Sequence, residues 1–365
     1  MPPPTPTPPS PLHLAILDDY QSLAPAKFHP LTTTTTTHPN LTITTHPHTL
    51  HPTHTPTDHQ TLTTLLHPYQ IISTMRERTP FPATLLSSLP NLKLLLTTGT
   101  RNRAIDLPTC AARGIVVAGT TGVKPGEEKV PTPSSTVQHT WALILGLARH
   151  IARDDRVVKG GGWQGDSLAM GLAGKTLGIV GLGKLGAATG RIGIVAFGMR
   201  VVAWSENLTQ EGADERAVEL GLPVGSFVVV RGKEELFRVA DVVSVHYVLS
   251  ERSRGMVGGR ELGVMKGDAL LVNTSRGPLV EEQALLETLK RGGIRGAALD
   301  VFDMEPLAED SEWRTTEWGV EGRSEVLLTP HMGYGEEEIM NRWYEEQAEN
   351  LGRWLEGKEV LNRLS

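Results

Sequence analysis

The segment Gly181-Leu-Gly-Lys-Leu-Gly186 constrains the fold of this chain more than any other. It follows an apolar run at 177–180 and opens a stretch of helical spacing at 185–197. In that setting the first glycine permits a tight turn, the second lets the backbone approach a bound group, and the third lets helix pack on strand. Backbone amides at the start of the helix then face a pyrophosphate. The next apolar run, 200–204, ends about 20 residues on, where such a unit makes its ribose contact. Strand, glycine turn, helix and strand in this order predict a doubly wound parallel sheet that binds a dinucleotide.

Short apolar runs recur downstream at 240–245, 269–273, 296–301 and 326–329, which with the first two makes six strands, the count of that fold. Residues 281–290 read as a helix, with acids in the first turn, Lys290 and Arg291 at the end and Gly292 as the stop. Upstream, runs at 12–17, 41–45, 71–75, 92–98 and 114–118 alternate with short helical stretches at 84–89 and 106–113, predicting a second α/β layer. A Pro-rich connection at 123–133 and one long helix over 135–158 join the halves. Residues 335–357 form one amphipathic helix, apolar at Ile339, Trp343, Ala348, Leu351 and Trp354, too short to stand as a domain. Gly190 and Gly193 sit inside the first nucleotide helix, each costing about 1 kcal/mol against alanine unless it serves close packing.

Composition narrows the function classes. A length of 365 residues suggests two domains, and a net charge of −6 without a Lys/Arg cluster argues against nucleic acid as a partner. No apolar run reaches the ~18–20 residues that span a bilayer, so no membrane partner is expected. Cys110 is the single cysteine, which excludes an internal disulfide and suits a reducing compartment. Residues 1–11 are Pro/Thr-rich without the features of a secretory signal, reading as a short disordered tail, and the expected location is the cytoplasm. Residues 29–67 contain six consecutive threonines and eight of the 13 histidines. Without cysteine or clustered carboxylates, this stretch reads as a low-complexity loop around one strand; no metal site is expected.

Three strand ends carry reactive side chains: Arg276 in Asn273-Thr-Ser-Arg-Gly-Pro278, Glu305 in Ala298-Leu-Asp-Val-Phe-Asp-Met-Glu-Pro306, and His331 in Leu328-Thr-Pro-His-Met-Gly-Tyr334. Each alone is as readily structural as functional. Together, at the carboxyl ends of strands where ligands of such sheets bind, they suit reduction of a 2-oxo acid. The histidine supplies a proton near neutral pH, the carboxylate holds its ring, and the guanidinium grips a carboxylate. After the second strand stand Ser205 and Glu206, with no Lys or Arg between Trp204 and Glu215. That favours NAD over NADP, whose extra phosphate asks for a cation, and leaves NADP open.

With these segments, Met75-Arg-Glu-Arg-Thr-Pro-Phe-Pro82 and Thr97-Thr-Gly-Thr-Arg-Asn102, the chain resembles the D-isomer-specific 2-hydroxyacid dehydrogenases, including phosphoglycerate dehydrogenase-like members, over about residues 70 to 360. The resemblance implies a Rossmann-type nucleotide domain at 135–334. It also implies a discontinuous, flavodoxin-like α/β substrate domain at 12–134 and 335–360, which would take in the final helix. Arg276 would orient substrate, His331 would be the acid/base and Glu305 its partner. Arg78 and the loop Gly99, Thr100 and Arg101 would contact substrate. Gly181, Gly183, Lys184, Leu185, Gly186, Ser205, Glu206, His246, Thr274, Asp300 and Gly333 would line the cofactor. A homodimer is expected on the same ground. Departures are Ser205 in place of the usual acid, the Thr/His-rich stretch, and a longer segment at 307–324, expected to be an external loop. An NAD(H)-sensing corepressor-like interaction protein of the same fold is the alternative, because such proteins keep the triad.

Overall fold

The structure, a computed structural model, describes residues 11–34, 40–51, 56–122, 134–165 and 167–365. The tail up to Ser10 and the Pro-rich connection at 123–133 lie outside the described residues. The chain divides into two compact units, Met1–Val130 with Gly335–Ser365, and Pro131–Tyr334.

The first unit is a five-stranded parallel sheet of β1 (Leu12–Leu17), β2 (Leu41–His46), β3 (Ile71–Thr74), β4 (Leu94–Thr97) and β5 (Val116–Ala118), in the order β2-β1-β3-β4-β5. This is the flavodoxin-like order. Every residue of β3 and β4 is buried, as expected of strands covered on both faces. The stretch at 29–67 corrects the sequence reading. It carries the end of a helix Ala24–Thr34, then β2, then a helix Pro56–Leu66, rather than a loop around one strand. Threonine is a poor helix former and apolar residues are sparse here, so no stripe marks either helix. Burial of Phe28, Leu62 and Leu66 decides them. The final helix, Glu337–Leu355, belongs to this unit: Lys27 Nζ meets Glu345 Oε1 at 2.9 Å, the Ser73 hydroxyl donates to Gln347 Oε1 at 2.5 Å, and Tyr344 is fully buried.

The second unit holds β6 (Thr176–Val180), β7 (Arg200–Trp204), β8 (Phe227–Val229), β9 (Val242–Val245), β10 (Leu270–Asn273), β11 (Gly296–Leu299) and β12 (Glu325–Leu328). They form one parallel sheet, ordered β12-β11-β10-β9-β6-β7-β8. The strand order reverses between β6 and β9, the topology of a Rossmann sheet with one strand added. Seven strands replace the expected six. The missed β8 is three residues long, with only Phe227 buried. Gly190 and Gly193 on helix Lys184–Phe197 do serve close packing. A Cβ at Gly190 would lie 3.0 Å from the Phe227 ring, and one at Gly193 3.0 Å from Leu177 Cδ2.

The single helix expected over 135–158 is two, Ser135–Ala148 and Ile151–Lys159. The chain breaks at His150, whose φ of 56° ends the first helix and turns its ring inward to Glu325. The segment 307–324 is more than an external loop. Its short helix Glu312–Thr315 buries Trp313 against Phe302 and Trp318. No helix among the described residues is long and apolar enough to cross a membrane, and no group of three or more His, Cys, Asp or Glu among them could hold a metal ion.

Candidate active site

The glycine turn is closed on one side and open on the other. Gly181 follows β6 at φ +99°, and a Cβ there would lie 2.8 Å from the His246 carbonyl oxygen. A Cβ at Gly186 would lie 2.2 Å from the Gly181 oxygen and 2.9 Å from Ile179 Cγ2, so glycine is required for helix to meet strand. Gly183 faces open space and is exposed, as are Lys184 and Leu185. The first amides of helix Lys184–Phe197 thus stand at an open, exposed turn, the setting that suits a pyrophosphate. The Ser205 hydroxyl, just past β7, accepts the Leu182 N–H at 3.3 Å and ties down the turn. Glu206 beside it is exposed.

Two further residues border this side of the sheet. His246, after β9, has Nε2 2.9 Å from Ser244 Oγ, and burial pushes its pKa down to about 4, so the ring is neutral. Thr274, after β10, is buried and shares a hydrogen bond with Thr140 (2.7 Å between hydroxyls). A neutral ring and small hydroxyls leave the part of the sheet end beside β9 and β10 without a charge of their own, compatible with an aromatic amide-bearing ligand.

Because β10, β11 and β12 are parallel neighbours in register, the residues that follow them emerge side by side. Arg276 stands in extended backbone (φ −150°), its carbonyl held by Asn273 Nδ2 at 3.0 Å and its Nη1 donating to the Ser275 carbonyl at 2.8 Å. Gly277 sets this loop against the next one: a Cβ there would lie 2.0 Å from the Phe302 carbonyl carbon. The Phe302 amide donates to Glu305 Oε1 at 2.9 Å, and Glu305 Oε2 lies 2.5 Å from His331 Nδ1. The structure therefore brings Glu305 and His331 into direct contact and packs the Arg276 loop on the segment that holds them. His331 adopts φ 53°, an uncommon conformation for a non-glycine residue.

Asp300, 1% exposed, sits behind this pair. Burial works against its charge, but hydrogen bonds from His139, Thr329 and the amides of Met332 and Gly333 outweigh it and hold the carboxyl below its ordinary value. Gly333 is buried over it, and a Cβ there would lie 3.0 Å from Asp300 Oδ2. His139 was not expected here. Its partner lies 161 residues away, and nothing in its own spacing marks it. Asn273, which holds the Arg276 carbonyl, and Gly277, which admits the Phe302 backbone, were not among the expected residues, and their place inside the Arg276 motif is the only signal for them.

The remaining expected residues lie in the first unit. Gly99, at φ +88°, follows β4, and its amide donates to the Thr120 hydroxyl at 2.9 Å. The arginine beside it is Arg76, whose Nη1 would lie 3.5 Å from a Cβ at Gly99 and whose guanidinium lies 5.6 Å from the Trp343 ring centre. Arg78 instead covers the Tyr20 ring at 5.5 Å. Thr100 and Arg101 are exposed.

Residues 141–333 match the family model described as D-isomer specific 2-hydroxyacid dehydrogenase, NAD binding domain. The chain is 34% identical over 282 residues to a glyoxylate reductase of Aeropyrum pernix, covering 75% of this chain and 76% of that one. It is 30% identical over 295 residues to a hydroxypyruvate reductase of Blautia hydrogenotrophica, covering 78% and 82% respectively. Its fold is similar to the crystal structure of a phosphoglycerate oxidoreductase from Vibrio cholerae, with a TM-score of 0.76 and 32% identity over 95% of this chain and 99% of that one.

Proposed function

Because this chain belongs to the D-isomer specific 2-hydroxyacid dehydrogenase family, an NAD-dependent group of oxidoreductases, we propose that it interconverts a small D-2-hydroxy acid and its 2-oxo acid through Arg276, Glu305 and His331. The contact of Glu305 with His331 Nδ1 carries this reading. It fixes the ring orientation and leaves Nε2 as the nitrogen that exchanges a proton with the substrate oxygen. NADH, when bound, supplies hydride to the carbon being reduced, and NAD+ accepts it in reverse. Arg276 grips the substrate carboxylate with its planar donors. Gly181, Gly183 and Gly186 with Lys184 and Leu185 receive the pyrophosphate. Ser205 and Glu206 meet the ribose, and His246, Thr274, Asp300 and Gly333 line the nicotinamide side. Glu206, with no cation between Trp204 and Glu215, supports NAD in preference to NADP. Arg78 and Gly99 to Arg101 are assigned to substrate contact by the family resemblance.

Glyoxylate and hydroxypyruvate are the first substrates to test, given the relatives' activities. The named relatives are enzymes, which favours this reading over the corepressor-like alternative. Wild type should oxidise NADH with one of a panel of 2-oxo acids, and His331→Ala should not; equal turnover in the variant removes His331 from the mechanism. A cytoplasmic homodimer joined through the nucleotide unit completes the proposal. Helix Ile151–Lys159 buries none of its residues, and Trp163 and Leu168 are 79% and 89% exposed, leaving apolar surface for a second copy. Sedimentation of wild type against Trp163→Glu tests it, a wild-type monomer refuting the dimer.

A further inference from the structure

The turn that presents His331 is tied down on both sides by one carboxylate. Before it, the Thr329 hydroxyl donates to Asp300 Oδ1 at 2.6 Å. After it, the Met332 amide donates to the same oxygen at 2.9 Å and the Gly333 amide to Oδ2 at 2.9 Å. His331 itself, at φ 53°, bonds through its amide to the Thr329 carbonyl at 3.1 Å. Such a conformation is strained and persists only when its surroundings over-determine it. The fourth group on Asp300 comes from outside the turn: His139, on helix Ser135–Ala148, places Nε2 3.1 Å from Oδ1 and 3.0 Å from the Thr329 hydroxyl. Three donors, His139 among them, converge on Oδ1 and one reaches Oδ2, and removing His139 takes a charge-assisted hydrogen bond from a buried carboxylate.

We propose that His139 is a positioning residue for His331: its ring N–H and the Thr329 hydroxyl hold the Asp300 carboxylate, which anchors the strained turn carrying the acid/base. The inference rests on the acid–base role assigned to His331 above. Misplacement of a reacting group by about 1 Å can reduce turnover about a hundredfold, so the effect on kcat exceeds any on cofactor affinity.

Three variants test this, each measured for kcat, KM for the 2-oxo acid, and NADH binding by fluorescence. His139→Leu should lower kcat at least about tenfold, with KM and NADH affinity within about threefold of wild type. His139→Gln, whose amide N–H reaches the same oxygen, should restore kcat to within about threefold. Thr329→Val should repeat the kcat loss, and it decides the matter if the leucine variant does not fold. Wild-type kcat in Thr329→Val or His139→Leu, NADH affinity falling in step with kcat, or failure of glutamine to restore turnover would each overturn the proposal. His331→Ala separates the two readings. If it retains turnover the acid–base role has failed, whereas an inactive His331→Ala beside an unimpaired His139→Leu condemns only the positioning role.

Discussion

The second unit contains two histidine–glutamate pairs at opposite ends of its sheet. His150 Nδ1 lies 2.8 Å from Glu325, the first residue of β12, while His331 Nδ1 lies 2.5 Å from Glu305, beyond the far ends of β11 and β12. Both histidines have left-handed backbone, φ 56° and φ 53°. The surroundings differ. The His150 side chain is 4% exposed, and its Nε2 lies 3.1 Å from the Leu168 carbonyl and 3.0 Å from Arg295 Nη2. The other oxygen of Glu325 is taken by Arg153 at 3.0 Å. The His331 side chain is 27% exposed and stands at the end of the sheet that carries Arg276 and the glycine turn. Pairing with a carboxylate and a special backbone conformation therefore do not by themselves make a catalytic histidine. Position at the carboxyl ends of parallel strands, with access for a ligand, distinguishes the His331–Glu305 pair, proposed above to be catalytic, from the buried His150–Glu325 pair.

The two pairs should break differently. His331→Ala should lose on the order of 10²- to 10⁴-fold in kcat with NADH binding retained, while His150→Ala keeps its turnover per folded molecule; equal kinetic losses in the two would erase the distinction. Next in size, Glu305→Gln should lower kcat roughly 10- to 100-fold, and Glu325→Gln should leave kcat alone. The opposite ranking is expected in denaturation. His150→Ala removes a buried hydrogen bond to a charged partner and should destabilise the fold by about 2–3 kcal/mol, more than His331→Ala does.

A third histidine sharpens the contrast, since no carboxylate pairs with His246 among the described residues and burial alone takes its pKa from 6.5 to about 4. Between those values the unfolded chain binds a proton that the folded chain does not, so stability falls as pH drops through this window. Between pH 7 and pH 5 the contribution is about 2 kcal/mol. Tm measured across that range should fall less steeply in His246→Gln, and parallel curves would refute the assignment.

Much of this was legible locally. Gly181, Gly183 and Gly186 announce a strand–turn–helix because each glycine meets a constraint set by near neighbours, and Arg276, Glu305 and His331 follow apolar runs that a parallel sheet aligns. What escaped was weak in local signal or remote in sequence. β8 has one buried residue in three, and the helices flanking β2 are built from threonine-rich segments with few apolar positions. The break at His150 occurs inside an unbroken helical pattern, because the reward for turning the ring inward is a carboxylate 175 residues away.

The sequence by itself determined the α/β class and the dinucleotide turn and marked the three side chains proposed to be catalytic, since periodicity, glycine placement and residue chemistry act over a few neighbours. Only the tertiary structure brought Glu305 Oε2 to His331 Nδ1, and it alone decided that Asp300 ties down both flanks of the turn and that His139 joins them. Those outcomes depend on strand register and on backbone approaches such as Gly277 against Phe302, which bring together groups that no local pattern relates.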